Sequence, residues 1–388
     1  MTVSVSSIPV QEGKNGVARI AVAPKVTVLV TLYDAARDVT ELVEMILAQR
    51  HPDYEEQGDW LRAVFIDDCS RDATLRVLEE ALAARANPAQ VRVQANSRNL
   101  GLAASLNGAL RECDTEYVLT CQCDCRFGSQ TYVADMLALL ARWPDAAAIT
   151  GQPTSNQPIP LKEKINLVEN IQDILPREQA AHVHEVRELI YTGFAEGRAD
   201  GFRLKAMQSA GYYDTTLRIS GEDQVLSGRL RELGYNVYQA PNLAYVMSLS
   251  SQQDSIGGML RKQYIWGKTH PYILLRARET LSGVIGKKAG SNRRLRVLLR
   301  TSQVAATLAY LALPAAFLLS SPEMGFGILA GLVLMKGLIF QKHVRRVGMS
   351  ISLLALFAAL QPAFDLCYTF GLARGLIALA SKAPGENI

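Results

Sequence analysis

The sequence contains no Gly-x-x-x-x-Gly-Lys-Ser/Thr phosphate loop, and no Gly-x-Gly-x-x-Gly follows its first apolar run. Those absences exclude a Walker-type nucleotide hydrolase and a dinucleotide fingerprint. Six cysteines in 388 residues are too few for a disulfide scaffold. Residues 1–24 lack a continuous apolar stretch, since Lys14 and Arg19 interrupt them. A signal peptide is therefore not expected, and 1–24 reads as a flexible lead-in ahead of a cytoplasmic, thiol-reducing setting. Net charge is also small, at +4. The hydrophobic share of 49%, by contrast, excludes a mainly disordered chain.

The small net charge conceals an uneven distribution. Residues 261–300 hold eleven Lys/Arg against Glu279 alone, a local +10 that leaves −6 for the rest. Residues 303–341 hold only Glu323 and Lys336 as charges. Residues 303–321 carry none, and at 1.5 Å per residue they reach about 28 Å, close to a bilayer's hydrocarbon core. Ser321-Pro322-Glu323 reads as a turn, and 325–341 returns, with Lys336 near enough to its end to snorkel. Lys342, His343, Arg345 and Arg346 follow. Basic residues thus flank both open ends of this hairpin, which places that side and the N-terminal domain on the cytoplasmic face of the membrane. Two further apolar runs, 349–364 and 366–381, are separated by Asp365. They read as a second hairpin, or as one span plus an interfacial helix, giving three or four segments. The expected organisation is a lead (1–24), a globular domain (25–275), a basic juxtamembrane segment (276–302) and a multi-pass region (303–381). An anionic membrane surface is the expected partner of the basic segment.

The globular part alternates strand and helix patterns. Short β-branched or apolar runs at 26–32, 61–66, 91–93, 117–121 and 146–150 read as strands. Helical spacing appears at 39–48, 73–86, 102–112 and 132–143. Such alternation predicts an α/β domain with a Rossmann-like, mostly parallel sheet. Ligands collect beyond the carboxyl ends of such strands, which selects 31–34, Asp67-Asp68, 96–101 and 122–124.

Three acidic constellations lie in or after these segments. In Asp67-Asp68-Cys69-Ser70-x-Asp72-x-Thr74, Ser70 or Asp72 can cap a helix, while two carboxylates at a strand end can accept from a base N–H and a ribose hydroxyl. In Cys121-Gln122-Cys123-Asp124-Cys125, alternation would turn the three thiols one way and Gln122 and Asp124 the other. The cysteines suit core filling better than a thiolate metal site, and Asp124 suits a hard cation on a diphosphate. Ser220-Gly221-Glu222-Asp223 precedes a helical pattern, where acids favour the dipole and can also act as a general base. The segments around Gly201-Phe202-Arg203 and Gly211-Tyr212-Tyr213-Asp214 read as a loop-rich substrate surface. His182 and His184, at i and i+2, do not share a helical face and read as part of a solvated helix.

Taken in order, Tyr33-Asp34, Asp67-Asp68-x-Ser70-x-Asp72, Asn96-x-x-Asn99-x-Gly101, Asp124 and Gly221-Glu222-Asp223 resemble family 2 glycosyltransferases of the GT-A fold, over roughly 25–270. With its apolar C-terminus the chain further resembles the membrane-attached bacterial exopolysaccharide branch, of the succinoglycan kind. That resemblance implies an inverting transferase using a nucleotide-diphosphate sugar, UDP favoured, with Mg²⁺ or Mn²⁺. It implies a nucleotide pocket of Thr31, Tyr33, Asp67, Asp68 and Asn99, a metal ligand in Asp124, and a base in Asp223 beside Glu222. Gln263, Trp266 and Lys268 correspond to a segment closing over the acceptor and diphosphate. The implied acceptor is a hydroxyl on a lipid-linked glycan, with other glycan-assembly proteins as partners and no nucleic acid. Two departures stand out. Gln122 replaces the first acid of Asp-x-Asp, and Trp266 stands where processive synthases carry Arg. The first leaves room for an inactive membrane-bound sugar-nucleotide sensor or scaffold. A polyprenyl-phosphate glycosyltransferase is another alternative.

Overall fold

A computed structural model describes residues 11–12, 18–19, 25–55, 60–83, 90–155, 161–170, 175–176, 188–217, 220–247, 255–276 and 291–381. His182 and His184, and most of the lead and of the basic segment before 291, lie outside the described residues.

The first half forms as its periodicity predicts. Strand β1 (Val26–Leu32) precedes α1 (Val39–Leu47), β2 (Leu61–Asp67) precedes α2 (Thr74–Ala83), and β3 (Val91–Ala95) precedes α3 (Leu102–Glu112). Next come β4 (Tyr117–Gln122), the short β5 (Cys125–Phe127), α4 (Tyr132–Arg142), β6 (Ala146–Ser155) and α5 (Leu161–Glu169). The strands β1 and β2 are buried almost throughout, which is why they read as unbroken apolar runs rather than alternating ones.

The sheet departs from the mostly parallel expectation on one side. Strands β3, β2, β1 and β4 run parallel. Between β4 and β6 lies β7 (Ala199–Arg203), antiparallel to both. Gly201, Phe202 and Arg203 are therefore central strand residues, not the loop-rich surface that the sequence suggested. A five-residue strand containing Gly and a charge carries no apolar run to mark it. Beyond it, α6 (Leu204–Ser209) leads through a turn to α7 (Glu222–Glu232), and then to β8 (Asn236–Met247). Strand β8 runs parallel to β6 and pairs antiparallel with β5. One hydrophobic cluster, including Val28, Phe65 and Tyr132, fills one face of the sheet; another, including Leu29, Ile66 and Phe202, fills the other.

After α8 (Ile256–Arg276), three helices are long and apolar enough to cross a membrane: α9 (Ser291–Ala315), α10 (Pro322–Val347) and α11 (Ile351–Ser381). A π-helical turn, Ala316–Ser320, extends α9 just past Pro314. The third and fourth apolar runs merge in α11. Asp365 does not separate them, because its buried carboxylate takes an ion pair from Lys336 at 2.6 Å and a hydrogen bond from the Tyr310 hydroxyl at 3.3 Å. Lys336 accordingly does not snorkel. A countercharge on the next helix offsets the cost of a lone carboxylate among apolar helices.

Helix α8 lies directly on α11. A Cβ on Gly267 would meet the Tyr368 carbonyl oxygen at 2.0 Å, and one on Gly371 would meet the Tyr264 carbonyl oxygen at 2.1 Å. Gly375 approaches the Lys268 carbonyl in the same way. Small residues let the two backbones touch. Around this seam, Glu169 of α5 accepts from Gln303 at 3.0 Å and Gln361 at 2.8 Å, while Arg300 donates to Gln263 at 2.8 Å.

Candidate active site

Strand pairing brings the expected residues to one edge of the sheet. Thr31 pairs with Ile66 on one side and Gln122 on the other; Leu32 pairs with Asp67, and Asp67 with Ala95. The turns after β1, β2, β3 and β4 therefore line up, as the strand-end rule requires. Two of them hold non-glycine residues in the left-handed region: Asp34 at φ 48° and Cys69 at φ 61°. Such conformations persist where surrounding bonds fix them. Here the Asp34 amide donates to Ser70 Oγ at 3.0 Å, and the Arg71 amide donates to Asp34 Oδ1 at 2.7 Å. Asp72 accepts from the Thr74 amide at 2.9 Å and the Ala36 amide at 3.2 Å, so it both caps α2 and ties the turn after β1. Burial opposes its ionisation, but these hydrogen bonds prevail and hold its carboxyl below the ordinary value.

Asp67 and Asp68 differ in use. Asp68 accepts from Asn96 Nδ2 at 2.9 Å and from the Leu100 and Gly101 amides at 2.8 Å each. It builds the turn after β3, on which Asn99 is exposed. Asp67 takes the Ser70 hydroxyl at 2.5 Å and the Ser70 amide at 3.3 Å, which leaves acceptor capacity on both oxygens. Thr31 and Tyr33 are partly exposed beside it.

The segment 121–125 is a strand end, a turn and a new strand rather than one extended run. Cys121 and Cys125 are buried, and burial pushes both thiols well up from their ordinary value. Burial likewise pushes Cys123 up to about 11. Neutral thiols of this kind fill space and are poor metal ligands. Among the described residues, no group of three or more His, Cys, Asp or Glu could hold a metal ion. What the turn offers instead is Asp124, partly exposed, beside the Gln122 amide, whose Nε2 donates to the Gly197 carbonyl at 2.8 Å. One carboxylate and one neutral oxygen fit a hard divalent ion shared with a substrate diphosphate.

Across this turn lies the N-terminus of α7. Gly221 precedes it at φ 102°, where a Cβ would also strike Ile273 at 2.6 Å, so glycine suits this turn. Glu222 and Asp223 occupy the first helical turn. A Cβ placed on Gly197 would lie 3.8 Å from the Asp223 Cβ and 3.9 Å from Gln122 Nε2. Asp223 therefore borders the same cleft as the turn after β4. Desolvation, then the Glu222 charge, raises Asp223 well above the usual carboxylate range, against the Gln224 amide bond at 2.8 Å. Desolvation raises Glu222 as well, and its Oε2 is buried without a hydrogen-bond partner.

Sequence reasoning missed residues 196–198 and the start of β7 that they lead into. Asp200 is buried and accepts from the Gly197 amide at 2.5 Å and the Arg198 amide at 3.2 Å; burial pushes it up to about 7. A Gly-rich charged stretch reads as surface, and only the gap between β4 and β6 could have revealed it. Gln263 and Lys268 lie on α8. Gln263 is buried, joining Asn170 at 2.9 Å and Arg300. Lys268 lies at the α11 seam through its backbone. Trp266 carries Lys262 and Arg300 over its ring, each 4.9 Å from the centroid.

With this geometry in place, the chain can be compared with known proteins. The description Glycosyl transferase family 2 matches residues 27–195. EpsE of Bacillus subtilis (strain 168), a protein assigned to the glycosyltransferases, is 32% identical over 95 residues. That match covers 24% of this chain and spans 31% of the length of EpsE. Among solved structures, the mannosyltransferase PcManGT of Pyrobaculum calidifontis, in complex with GDP-Man and Mn²⁺, superposes with a TM-score of 0.59 at 18% identity. The superposition covers 92% of this chain and 89% of that one. Residues 27–195 thus match the glycosyl transferase family 2 model, the chain shares the GT-A-like fold of that mannosyltransferase, and the described residues add three apolar helices long enough to span a membrane.

Proposed function

We propose that the protein is a membrane-anchored inverting glycosyltransferase. It moves a sugar from a nucleotide-diphosphate sugar, UDP-linked by preference, to a hydroxyl of a lipid-linked acceptor in exopolysaccharide or other surface-glycan assembly. The reading is supported by the alignment of the turns bearing Asp67 and Gln122-Cys123-Asp124 along one sheet edge, with Gly197 close to both Gln122 and Asp223. Asp67 accepts from the base, with Thr31 and Tyr33 beside it, and Asp68 and Asn99 shape and flank that pocket. Asp223 takes the proton of the acceptor hydroxyl as it attacks the anomeric carbon in line, and desolvation with the neighbouring Glu222 charge makes it a stronger base than an ordinary carboxylate. Mg²⁺ or Mn²⁺, held by Asp124 with the Gln122 amide oxygen and the donor's own phosphates, would neutralise charge on the departing diphosphate.

Anchoring is supported by the outward apolar side chains of α9, α10 and α11, such as Leu311, Val333 and Phe370, at 68%, 73% and 66% exposure. The basic residues on both sides of the first hairpin favour a cytoplasmic cleft at a bacterial inner membrane, close to anionic headgroups.

The test is a panel of nucleotide sugars offered to the purified protein in detergent, with and without Mn²⁺. Turnover of one donor, abolished by Asp223→Asn, is expected. Binding without turnover of any donor would overturn the transferase reading in favour of a sugar-nucleotide sensor, which Gln122 in the metal motif would fit.

A further inference from the structure

Gln122 and Arg198 are linked in a way that the expected metal motif does not explain. In the pairing of β7 with β4, Ala199 opposes Cys121, so Arg198 emerges beside Gln122 at the ligand edge of the sheet. The Gln122 amide N–H donates to the Arg198 carbonyl at 2.9 Å, and its side chain donates to the Gly197 carbonyl at 2.8 Å. A carboxylate at position 122 has no hydrogen to donate and would repel that carbonyl. From below, Asp200 holds the Gly197 and Arg198 amides. The loop is thus fixed from both sides, and Arg198 with it.

The guanidinium so placed has no carboxylate in direct contact among the described residues, although Glu196 and Asp124 act on it at longer range. Its one hydrogen bond is to the Met247 sulfur, a weak acceptor, and it forms no ion pair among the described residues. Met247 pairs with Cys125 across the sheet, so the guanidinium stands over the Asp124 turn, within electrostatic reach of that carboxylate. Lys262 of α8 lies within electrostatic reach of it. The Lys262 ammonium also has no hydrogen bond or ion pair among the described residues; its contact is the Trp266 ring. Two cations beside the Asp124 turn, neither in a direct ion pair among the described residues and with Glu196 acting on both at longer range, keep their donors for phosphate oxygens. Guanidinium groups bind phosphate oxygens in pairs, and an ammonium binds them as a point charge.

We propose that Arg198, fixed by Gln122 and Asp200 and backed by Lys262, is a diphosphate-binding residue that neutralises charge a second metal-binding carboxylate would otherwise help to offset. The Gln in the metal motif then serves as the scaffold of a cationic subsite and is not a lesion. The inference rests on the nucleotide-sugar reading above.

Calorimetry of UDP, GDP, CDP, ADP and dTDP binding to the full chain in detergent, in EDTA and in Mn²⁺, tests it. The wild type is expected to bind at least one of them in EDTA. Arg198→Gln should weaken that binding about 10-fold or more and make it depend far more steeply on Mn²⁺. Arg198→Lys should restore part of it, and Lys262→Met, a change outside the Arg198 loop, should weaken it about 3-fold. Wild-type affinity in EDTA for Arg198→Gln would overturn the inference and leave the transferase reading standing. Failure of the wild type to bind any of the five, with or without Mn²⁺, would remove both.

Discussion

At the scale of single residues, neighbouring acids carry opposite duties. Asp68 is occupied by two backbone amides and an Asn side chain, whereas Asp67 keeps free acceptor capacity next to it. Glu222 and Asp223 divide similarly, one lifting the ionisation of the other. Asp223→Asn is expected to lower kcat by about 10²–10⁴-fold with little change in donor binding. A base acts only when deprotonated, so activity should rise with pH, with its acid limb above the usual carboxylate range. Glu222→Gln removes a negative neighbour, lowers the Asp223 value and should move that limb to lower pH; an upward shift in the pH–rate profile would contradict the assignment. The motif acids were legible in the sequence because strand ends and helix starts are local features. Their division of labour was not, since Asp68 is defined by amides more than thirty residues away.

At the scale of elements, the strands and helices from β1 to α4, the short β5 apart, could be read from periodicity alone, to within a residue or two at most boundaries, whereas the parallel β8 was not read. Strand β7 could not, because its place is set by β4 and β6 and not by its own pattern. The unity of α11 was equally hidden: Asp365 looks like a break until Lys336 is brought to it. Removing one partner strands the other in an apolar setting. Lys336→Met should therefore lower the melting temperature in detergent more than the double change Lys336→Met with Asp365→Leu. An additive double variant in the same assay would argue against the pair. The contact of α8 with α11 makes a sharper demand. Gly371→Leu places side-chain atoms where the Tyr264 carbonyl already lies, so the helices must separate. Loss of thermal stability, together with new protease cleavage between the globular and apolar parts, is the expected result.

At the scale of the whole molecule, the contact between the globular part and α8 was invisible in the sequence. Asp214, 5% exposed, takes Arg229 of α7 at 3.0 Å and Arg276, the last residue of α8, at 2.5 Å. Burial opposes its ionisation, yet bonds from Thr216 and Arg276 hold it below its ordinary 3.8. Its contribution is thus present above about 3.8 and lost as pH falls through the lower folded value. Asp214→Asn should cost about 2 kcal/mol at neutral pH, with the gap in melting temperature closing at strongly acid pH. Helix α8 is consequently fastened at both levels, to the α7 that bears Asp223 and to the α11 among the apolar helices. A displacement of α11 is then carried through one continuous helix to the element that bears Asp223, so the apolar helices and the acidic turn move together or not at all.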